Sequence, residues 1–526
     1  MKKKGPNFIE QIIDGDIAKG FKKDNLRFRF PPEPNGYLHI GHLKAICLNF
    51  NLGEKYKSPV NLRFDDTNPE KEAKEYVDAI KHDITWLGFN WDKECYASDY
   101  FDQLYGWATD LIKKNLAYID SQTSEEMAKQ KGTPKKHGEE SPFRNRKKDE
   151  SLKIFKEMFD GEHNQGQHVL RAKIDMTSPN MLMRDPVLYR VMNVDHHRTK
   201  DNWKVYPMYD WTHGESDYIE QISHSLCTLE FEPHRELYDW FLDAISPLKG
   251  IRPKQREFSR LNLSYTITSK RKLAELVEGK LVEGWDDPRM PTISGLRKRG
   301  YTPEALKNFA LTVGVSKREN VIDASLLEFN IRTHLNEVAP RAMAVINPLK
   351  LKIINREEES GEKINFEINP QDKSLGSRVI NFSSTLYIEK EDFQENPEDG
   401  FFRLSLGEEV RLKNAYIIKA VDLVKDEKGN IVEVLCEYDK KSKSGSNTPE
   451  SNRRVKGTIH WVSAVDTIKA RINVYDRLFK VPEPGKESDL KSEVNENSLE
   501  IKEAFVEPYL AGSTEGQQYQ FQRLGY

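Results

Sequence analysis

Residues 31–42, "PPEPNGYLHIGH", decide how the first part of this chain is read. They follow a short apolar segment, "LRFRF" (Leu26–Phe30), and lead into "LKAICLNFNLG", whose apolar positions recur at helical spacing. The order is strand, turn, helix. Pro31, Pro32 and Pro34 cannot donate to a ladder, so the strand stops there. Gly36 and Gly41 let backbone come close to a ligand. His39 and His42 are three residues apart and share a face at the helix's amino end. Unpaired amides and the positive end of the helix dipole gather at that point, and both favour an anion such as phosphate. The stretch reads as a nucleotide phosphate site.

Outward from it, "VNLRF" (Val60–Phe64) predicts a second strand, and Ala73, Tyr76, Val77 and Ile80 mark a helix near 70–88. Strands alternating with helices suit a doubly wound parallel sheet, whose ligands bind at the strands' carboxyl ends. "DDTNP" (Asp65–Pro69) sits at such an end. Residues 101–205 break the pattern. A helical part (101–116), a polar stretch (129–151) and a strand-like "HVLRAKIDM" (168–176) read as an insertion. A third α/β piece follows near 205–260, with "KVYPMYDWT" (204–212) as a strand and "ELYDWFLDAI" (236–245) as a helix. Residues 270–340 read as mostly helical and charged. Beyond Pro340, short alternating segments such as "TLYIEK", "FFRLSL" and "GTIHWVSA" predict all-β barrels or sandwiches. Residues 440–454 and 483–493 are loops by composition.

A chain of 526 residues exceeds one hydrophobic core. Roughly three to five domains are expected. No apolar run reaches the ~18 residues a membrane span needs. The start, "MKKKGPNF", has lysines but no apolar run behind them, so it is not a secretory signal. The four cysteines, Cys47, Cys95, Cys227 and Cys436, form no CxxC pair, which argues against a zinc ribbon or a disulfide framework and fits a reducing cytosol. Net charge is 81 minus 84, or −3, so a nucleic-acid face would have to be a local basic patch.

The phosphate motif does not stand alone. "RFDDTNP" (63–69), "PMYDWTH" (207–213), "HSLCTLEF" (224–231), "FSRLNL" (258–263), "TSKRK" (268–272) and "EGWDDPRMPTISGLRKRG" (283–300) follow in order. The set closely resembles the glutaminyl-tRNA synthetases, a family of class I aminoacyl-tRNA synthetases, from about residue 25 onward. The resemblance implies a multidomain protein. It would have an α/β Rossmann-like catalytic domain split over 26–100 and 206–260, and an inserted α+β acceptor-end domain at 101–205. A helical connector at 261–339 and two anticodon-binding β-barrels at 340–526, the distal one at roughly 395–465, would complete it. It implies ATP-dependent ligation of L-glutamine to tRNA(Gln) by a monomeric cytoplasmic enzyme with no membrane partner.

The resemblance also implies the site. His39, His42 and Lys270 carry the catalysis, Lys270 matching the lysine of the mobile KMSKS loop. In that loop Ile267 and Thr268 depart from the usual lysine and methionine. Glu33, Pro34, Asn35, Ile40, Gly41, Leu43, Lys44 and Ala45, with Thr228, Arg260, Leu261, Thr268 and Ser269, border ATP. Mg2+ accompanies ATP through substrate oxygens and water, with no metal held by the protein. For glutamine, Asp65 pairs with the ammonium, Arg29 meets the α-carboxylate, Tyr209 reads the side-chain amide and Gln255 holds a bridging water. Cys227 discriminates: the glutamyl enzymes typically carry arginine there, and a cysteine leaves a glutamate carboxylate unpaired at several kcal/mol. Glu215 stands where many members have an aliphatic residue, and if it points into the pocket it opposes glutamate. Glutamyl-tRNA synthetase is the nearest alternative. A small-molecule nucleotidyltransferase of the same superfamily, or an idle RNA-binding relative, fits less of the chain.

For tRNA, the resemblance places Lys317, Arg318 and Asn320 along the inner face of the L-shaped molecule, and Arg341, Arg403 and Arg411 near the anticodon. Lys413 sits where arginine is common, and Phe402 replaces a basic residue.

Overall fold

Three strands, β1 (Phe28–Phe30), β2 (Val60–Phe64) and β3 (Glu94–Tyr96), run parallel, with β2 in the centre. Every residue of β1 and β2 is buried, as expected of parallel strands covered by helices on both faces. The computed structural model describes residues 5–357, 361–486 and 489–526. The first three lysines of the chain and part of the loop at 483–493 lie outside the described residues. The chain divides into two compact units. One runs to Asp286 and adds Pro291–Ser294 and Leu306–Ala324. The other takes Asp287–Met290, Gly295–Ala305 and Ser325–Tyr526.

In the first unit an amino-terminal helix, α1 (Phe8–Ala18), is capped by Asn7 and buries Ile9 and Ile13. The Tyr56 hydroxyl donates to Asp14 (2.7 Å), and Asp16 pairs with Lys254 (3.2 Å), so the segment is docked. Helices α2 (Ile40–Tyr56) and α3 (Lys74–Trp86) connect the parallel strands. A four-stranded antiparallel sheet follows, β4 (Ala117–Asp120), β5 (Val169–Ala172), β6 (Val187–Val191) and β7 (Val205–Pro207), with helices α4 (Phe101–Lys113), α5 (Ser124–Lys131) and α6 (Lys148–Phe159).

The predicted strand at 204–212 is a strand only to Pro207. It pairs with β6, and the next helix, α7 (Tyr209–Ile219), starts two residues later. Pro207 has no amide to extend the ladder, and Met208 is the extended cap. Helix α7 and helix α8 (Arg235–Ala244) add Trp211, Leu237 and Phe241 to the core that Phe101, Leu170 and Tyr189 build. Strands β8 (His224–Thr228) and β9 (Lys254–Phe258) pair in parallel. The Ser223 amide donates to Arg27 O (3.0 Å), and Arg29 reaches Ser225 and Leu226, which sets β8 alongside β1 in the same direction. Connections leave β1 toward β2 on one side and β8 stands on the other. The crevice at the carboxyl ends of β1 and β8 is where such a sheet opens a ligand site.

The second unit is strand-rich from Arg341 on. A seven-stranded sheet contains Pro348–Ile353, Thr385–Glu389, Glu409–Leu412, Ile417–Lys425 and Ile431–Tyr438. Its core includes Leu351, Phe382, Val434 and Trp461. The period of two is visible in Glu362–Glu367, where only Ile364 and Phe366 are buried. Ala344–Val345, Ile468–Tyr475 and Leu499–Val506 form a separate antiparallel sheet. Among the described residues, no helix is long and apolar enough to cross a membrane.

Candidate active site

His39 caps α2. Its Nδ1 accepts the Gly41 amide (3.1 Å), while its own amide donates to His42 Nδ1 (3.1 Å). With both Nδ1 atoms accepting, the proton of each neutral ring is on Nε2. Burial, helped by the Lys270 charge, lowers His39 to about 3, and burial keeps His42 well below the usual imidazole range. Both rings are therefore neutral donors, with centroids 3.9 Å apart. The expectation of bare helix amides is corrected. Ile40 N donates to Pro291 O (2.8 Å) and His42 N to His39 O (2.8 Å), so with Gly41 the first three amides have acceptors. The segment 291–293 also receives Leu38: Ile293 N donates to its carbonyl (2.8 Å). What remains for an anion is the pair of Nε2–H groups and the dipole end. A Cβ on Gly41 would lie 2.9 Å from the His39 ring and 3.3 Å from Thr268, so glycine is required for this packing.

Lys270 opens helix α9 (Lys270–Glu278), with Ser269 exposed before it and Ile267 buried. Its ammonium donates to Asn35 Oδ1 and to Glu33 O (3.3 Å), and its stem lies over Gly36. The lysine is thus half-buried against 33–36 rather than freely exposed, and burial lowers its pKa. Pro34 O accepts the Ala73 amide, fixing the same turn. Lys44 donates to Ser259 Oγ (2.9 Å), and burial lowers it to about 8. Thr228 and Arg260 meet at the ends of β8 and β9 through Glu230, at 2.9 and 3.8 Å, above buried Leu261. Ile40 and Leu43 are buried core residues of α2, and Ala45 is half-buried.

Beside this lies a buried polar network. Asp65 Oδ1 accepts from Arg63 Nε (2.9 Å), while Oδ2 is buried with no partner. Burial raises the carboxyl to about 6 against the pull of Arg63. Arg29 is fully buried. It donates to Asp217 (3.0 Å), Leu226 O (2.9 Å) and Ser225 Oγ (2.6 Å). Burial works to raise Asp217, but Arg29 and Arg63 override it and hold it far below the carboxylate range. The expectation that Arg29 awaits an α-carboxylate is corrected: its guanidinium is committed to this network and faces Cys227 Sγ (3.8 Å) and His213 Nε2 (2.6 Å). Because arginine only donates, His213 Nε2 accepts, and its Nδ1–H donates to the Tyr209 hydroxyl (3.1 Å). The Tyr209 proton is thereby left for another acceptor. Burial lowers His213 to about 3 and raises the Cys227 thiol to about 11, so both are neutral. Gln255 donates to Phe231 O (2.8 Å) and Glu257 (3.0 Å), and its Oε1 is buried without a partner.

His213, Asp217 and Arg63 are absent from the sequence-predicted set. For His213 and Asp217 the signal is their four-residue spacing with Tyr209, which places the three on one face of α7; Arg63 has no such signal. Glu215 lies on the other side of that helix. It is fully buried, both its oxygens lack partners, and burial raises its pKa well above the usual range. It shares its environment with Tyr189 and Trp211 of the adjoining core, so it contributes no negative charge to the pocket.

Asp66, His196 and His197 bring ligand-type atoms within 4.8 Å of one another. Their hydrogen bonds argue against a metal. His196 Nδ1 accepts the amides of Arg198 (3.1 Å) and Thr199 (3.2 Å), and its Nε2–H donates to Asp66 O (2.8 Å), so no lone pair remains. Asp66 also accepts from the Ser98 amide (2.8 Å) and hydroxyl (2.6 Å). The group is a clasp that holds the Asp65–Asp66 turn.

Of the residues expected to meet tRNA, Lys317, Arg318 and Asn320 are exposed in the first unit, with the Lys317 ammonium 5.3 Å from the Phe8 ring. In the second unit Arg341 lines a cavity of about 400 Å³ together with Lys413, His460, Gln520, Gln522 and Arg523. Arg403 is exposed and pairs with Asp392 (3.1 Å). Arg411 is not free for a ligand: it donates to Ser442 O (3.1 Å) and Ser451 O (2.6 Å), clamping the loop at 440–454.

The family model for the catalytic domain of class I (E and Q) tRNA synthetases matches residues 25–337, and two models for the anti-codon binding domain of the same enzymes match 339–439 and 458–526. The chain belongs to the class I (E and Q) tRNA synthetases. Among curated relatives of this synthetase, the glutamine–tRNA ligase of Haemophilus influenzae strain 86-028NP is 54% identical over 521 residues, covering 99% of this chain and 92% of the relative. That of Vibrio parahaemolyticus is 53% identical, covering 99% and 93%. A solved glutamate tRNA ligase from Elizabethkingia meningosepticum is 19% identical with a TM-score of 0.45, over 60% of this chain and 70% of that one. The synthetase thus carries its catalytic part in 25–337 and strand-rich anticodon-binding parts beyond.

Proposed function

We infer that this chain is a glutamine–tRNA ligase. It joins L-glutamine to the 2′-hydroxyl of the terminal adenosine of tRNA(Gln) through a glutaminyl-adenylate, consuming ATP and releasing AMP and pyrophosphate. The observation that carries the choice of amino acid is the charge balance of the buried network. Arg29 and Arg63 face Asp65, Asp217 and Glu220, and Asp65 Oδ2 is the unpaired acceptor. A substrate ammonium pairs with that acceptor while the α-carboxylate turns to the ATP α-phosphorus; both arginines are already consumed by protein carboxylates, so a neutral amide fits and a side-chain carboxylate enters without a counter-charge. Glutamine–tRNA ligases at more than half identity support the same reading.

In the reaction the glutamine carboxylate attacks the ATP α-phosphorus and pyrophosphate leaves. The 2′-hydroxyl then attacks the acyl carbon and AMP leaves. Negative charge spreads over phosphate oxygens in the first step, and positioned donors stabilise it. His39 and His42 supply neutral Nε2–H donors, and Lys270 a charge that must leave Asn35 to meet the triphosphate. Thr228, Arg260 and Leu261 border the adenosine. Asp65 takes the ammonium, Tyr209 donates to the amide oxygen, and Gln255 Oε1 accepts from the amide nitrogen directly or through water. Arg29 positions this reading edge through His213. Mg2+ would enter with ATP and offset the charge of its phosphates.

The Rossmann-like sheet of β1–β3 with β8 and β9 serves as the catalytic domain, the 101–205 insertion as the acceptor-end domain and the strands beyond 340 as two barrels that read the anticodon. The enzyme acts as a cytoplasmic monomer. The test is AMP release from ATP by purified protein: it should require glutamine and tRNA(Gln) together, and AMP release independent of tRNA contradicts the assignment.

A further inference from the structure

The loop between β6 and β7 ends against the turn that carries Asp65. His196, in that loop, is fully buried, with its ring against those of Phe101 (centroids 5.8 Å apart) and Tyr206 (6.1 Å). The loop is closed on itself. The amides of His196 and Lys200 each donate to the other's carbonyl (3.0 Å), and the Tyr206 hydroxyl donates to Trp203 O (3.1 Å). This tight turn presents two imidazole N–H groups to its neighbour. His196 Nε2–H donates to Asp66 O (2.8 Å), and His197 Nε2–H donates to Asp66 Oδ2 (3.2 Å). Both nitrogens carry the proton, because a carbonyl or carboxylate oxygen only accepts.

Asp65 is thereby held from both ends. Its amide donates to Pro32 O (3.2 Å), in the turn between β1 and α2. The carbonyl and carboxylate of the next residue are taken by the two histidines and by Ser98. Between these anchors the Asp65 side chain has a tie to Arg63 Nε at Oδ1 (2.9 Å), and Oδ2 is buried without a partner. The aim of Oδ2 therefore depends on the backbone at 65–66. That backbone is fixed in turn by donors 130 residues further along the chain. A ring locked by packing and by its own hydrogen bonds holds such a turn to a fraction of an ångström, which is what a ligand-facing acid requires.

We propose that His196 and His197 are positioning residues for substrate binding: by fixing Asp66 they aim Asp65 Oδ2 at the substrate ammonium. The inference rests on the reading of Asp65 as the ammonium's acceptor in a glutamine ligase. Neither histidine touches the reacting atoms. The ammonium stays on Asp65 from ground state to transition state, so a loosened clasp removes uniform binding and shows in KM and not in kcat.

The test uses the full chain and tRNA(Gln) transcript in aminoacylation. H197A, which deletes one donor at a partly exposed position, should raise KM for glutamine about tenfold and leave kcat and KM for ATP within about threefold of wild type. H197Q, whose amide can replace the Nε2–H, should return KM for glutamine to within about threefold. A cycle with Asp65→Asn isolates the route: on the D65N background, H197A should change kcat/KM for glutamine by less than about threefold. H197A with wild-type KM for glutamine overturns the proposal. So does an equal rise in KM for ATP, and so does a further loss of about tenfold on D65N, which assigns His197 to the fold at large. A wild-type chain that does not charge tRNA(Gln) with glutamine overturns the ligase reading and this inference with it, whereas wild-type charging with a silent H197A sinks this inference alone.

Discussion

In the proposed reaction, His39, His42 and Lys270 divide the phosphate work by protonation state. The rings are neutral donors fixed by backbone, and the lysine is the mobile charge. Asp65 sets a pH limit beside them. Burial raises its carboxyl to about 6, so it is ionised above that pH and protonated below it. An ammonium needs the carboxylate, and kcat/KM for glutamine should therefore fall as pH drops through about 6. Asp65→Asn should lower kcat/KM by about 10²-fold or more and abolish that limb; an unchanged acid limb in the variant assigns it elsewhere. Glu215 is the opposite case, a buried acid that serves no visible partner. Its folded-state pKa is raised, so it stays protonated while the unfolded chain ionises above about 4.3. The cost is absent below that value and grows as pH rises toward the folded pKa. Glu215→Leu should stabilise the protein by roughly 1–3 kcal/mol, with a gain in thermal midpoint that widens as pH rises above the ordinary carboxylate range. A gain that shrinks with pH contradicts the burial argument.

At the scale of elements, the turn between β1 and α2 and the helix α7 carry the site. Gly41 is the tightest point of the turn, with the His39 ring on one side and Thr268 on the other. Gly41→Ala should displace the ring and cut kcat/KM for ATP about a hundredfold, with far-ultraviolet dichroism unchanged; activity within threefold of wild type means the ring position is immaterial. The strand–turn–helix reading of 26–56 was legible because Pro31–Pro34 and the apolar period mark its boundaries. The strand at 204–212 was legible only in part. Its apolar residues continue past Pro207, and periodicity cannot show that the pairing partner is β6 of the insertion and not a parallel neighbour. The roles of Arg29 and Arg411 were hidden for a related reason. A sequence shows the charge, but which carbonyls and carboxylates consume it depends on contacts more than 30 residues away in the chain, such as Asp217 and Ser451. His39 and Asp65, which sit in local turns, are readable as candidates in the sequence; His213 and Arg63, placed by long-range pairs, are not.

For the whole molecule, a net charge of −3 means that affinity for tRNA has to come from placed residues and not from a general field. The chain packs as two units, each with its own buried pairs. In the proposed reaction the pocket accepts an amide and refuses a carboxylate beside a bound triphosphate. The direct measurement is aminoacylation of tRNA(Gln) by the purified chain with radiolabelled glutamine or glutamate, each as sole amino acid. Charging with glutamine should exceed charging with glutamate by about 10³-fold or more in kcat/KM. Equal charging, or a preference for glutamate, contradicts it.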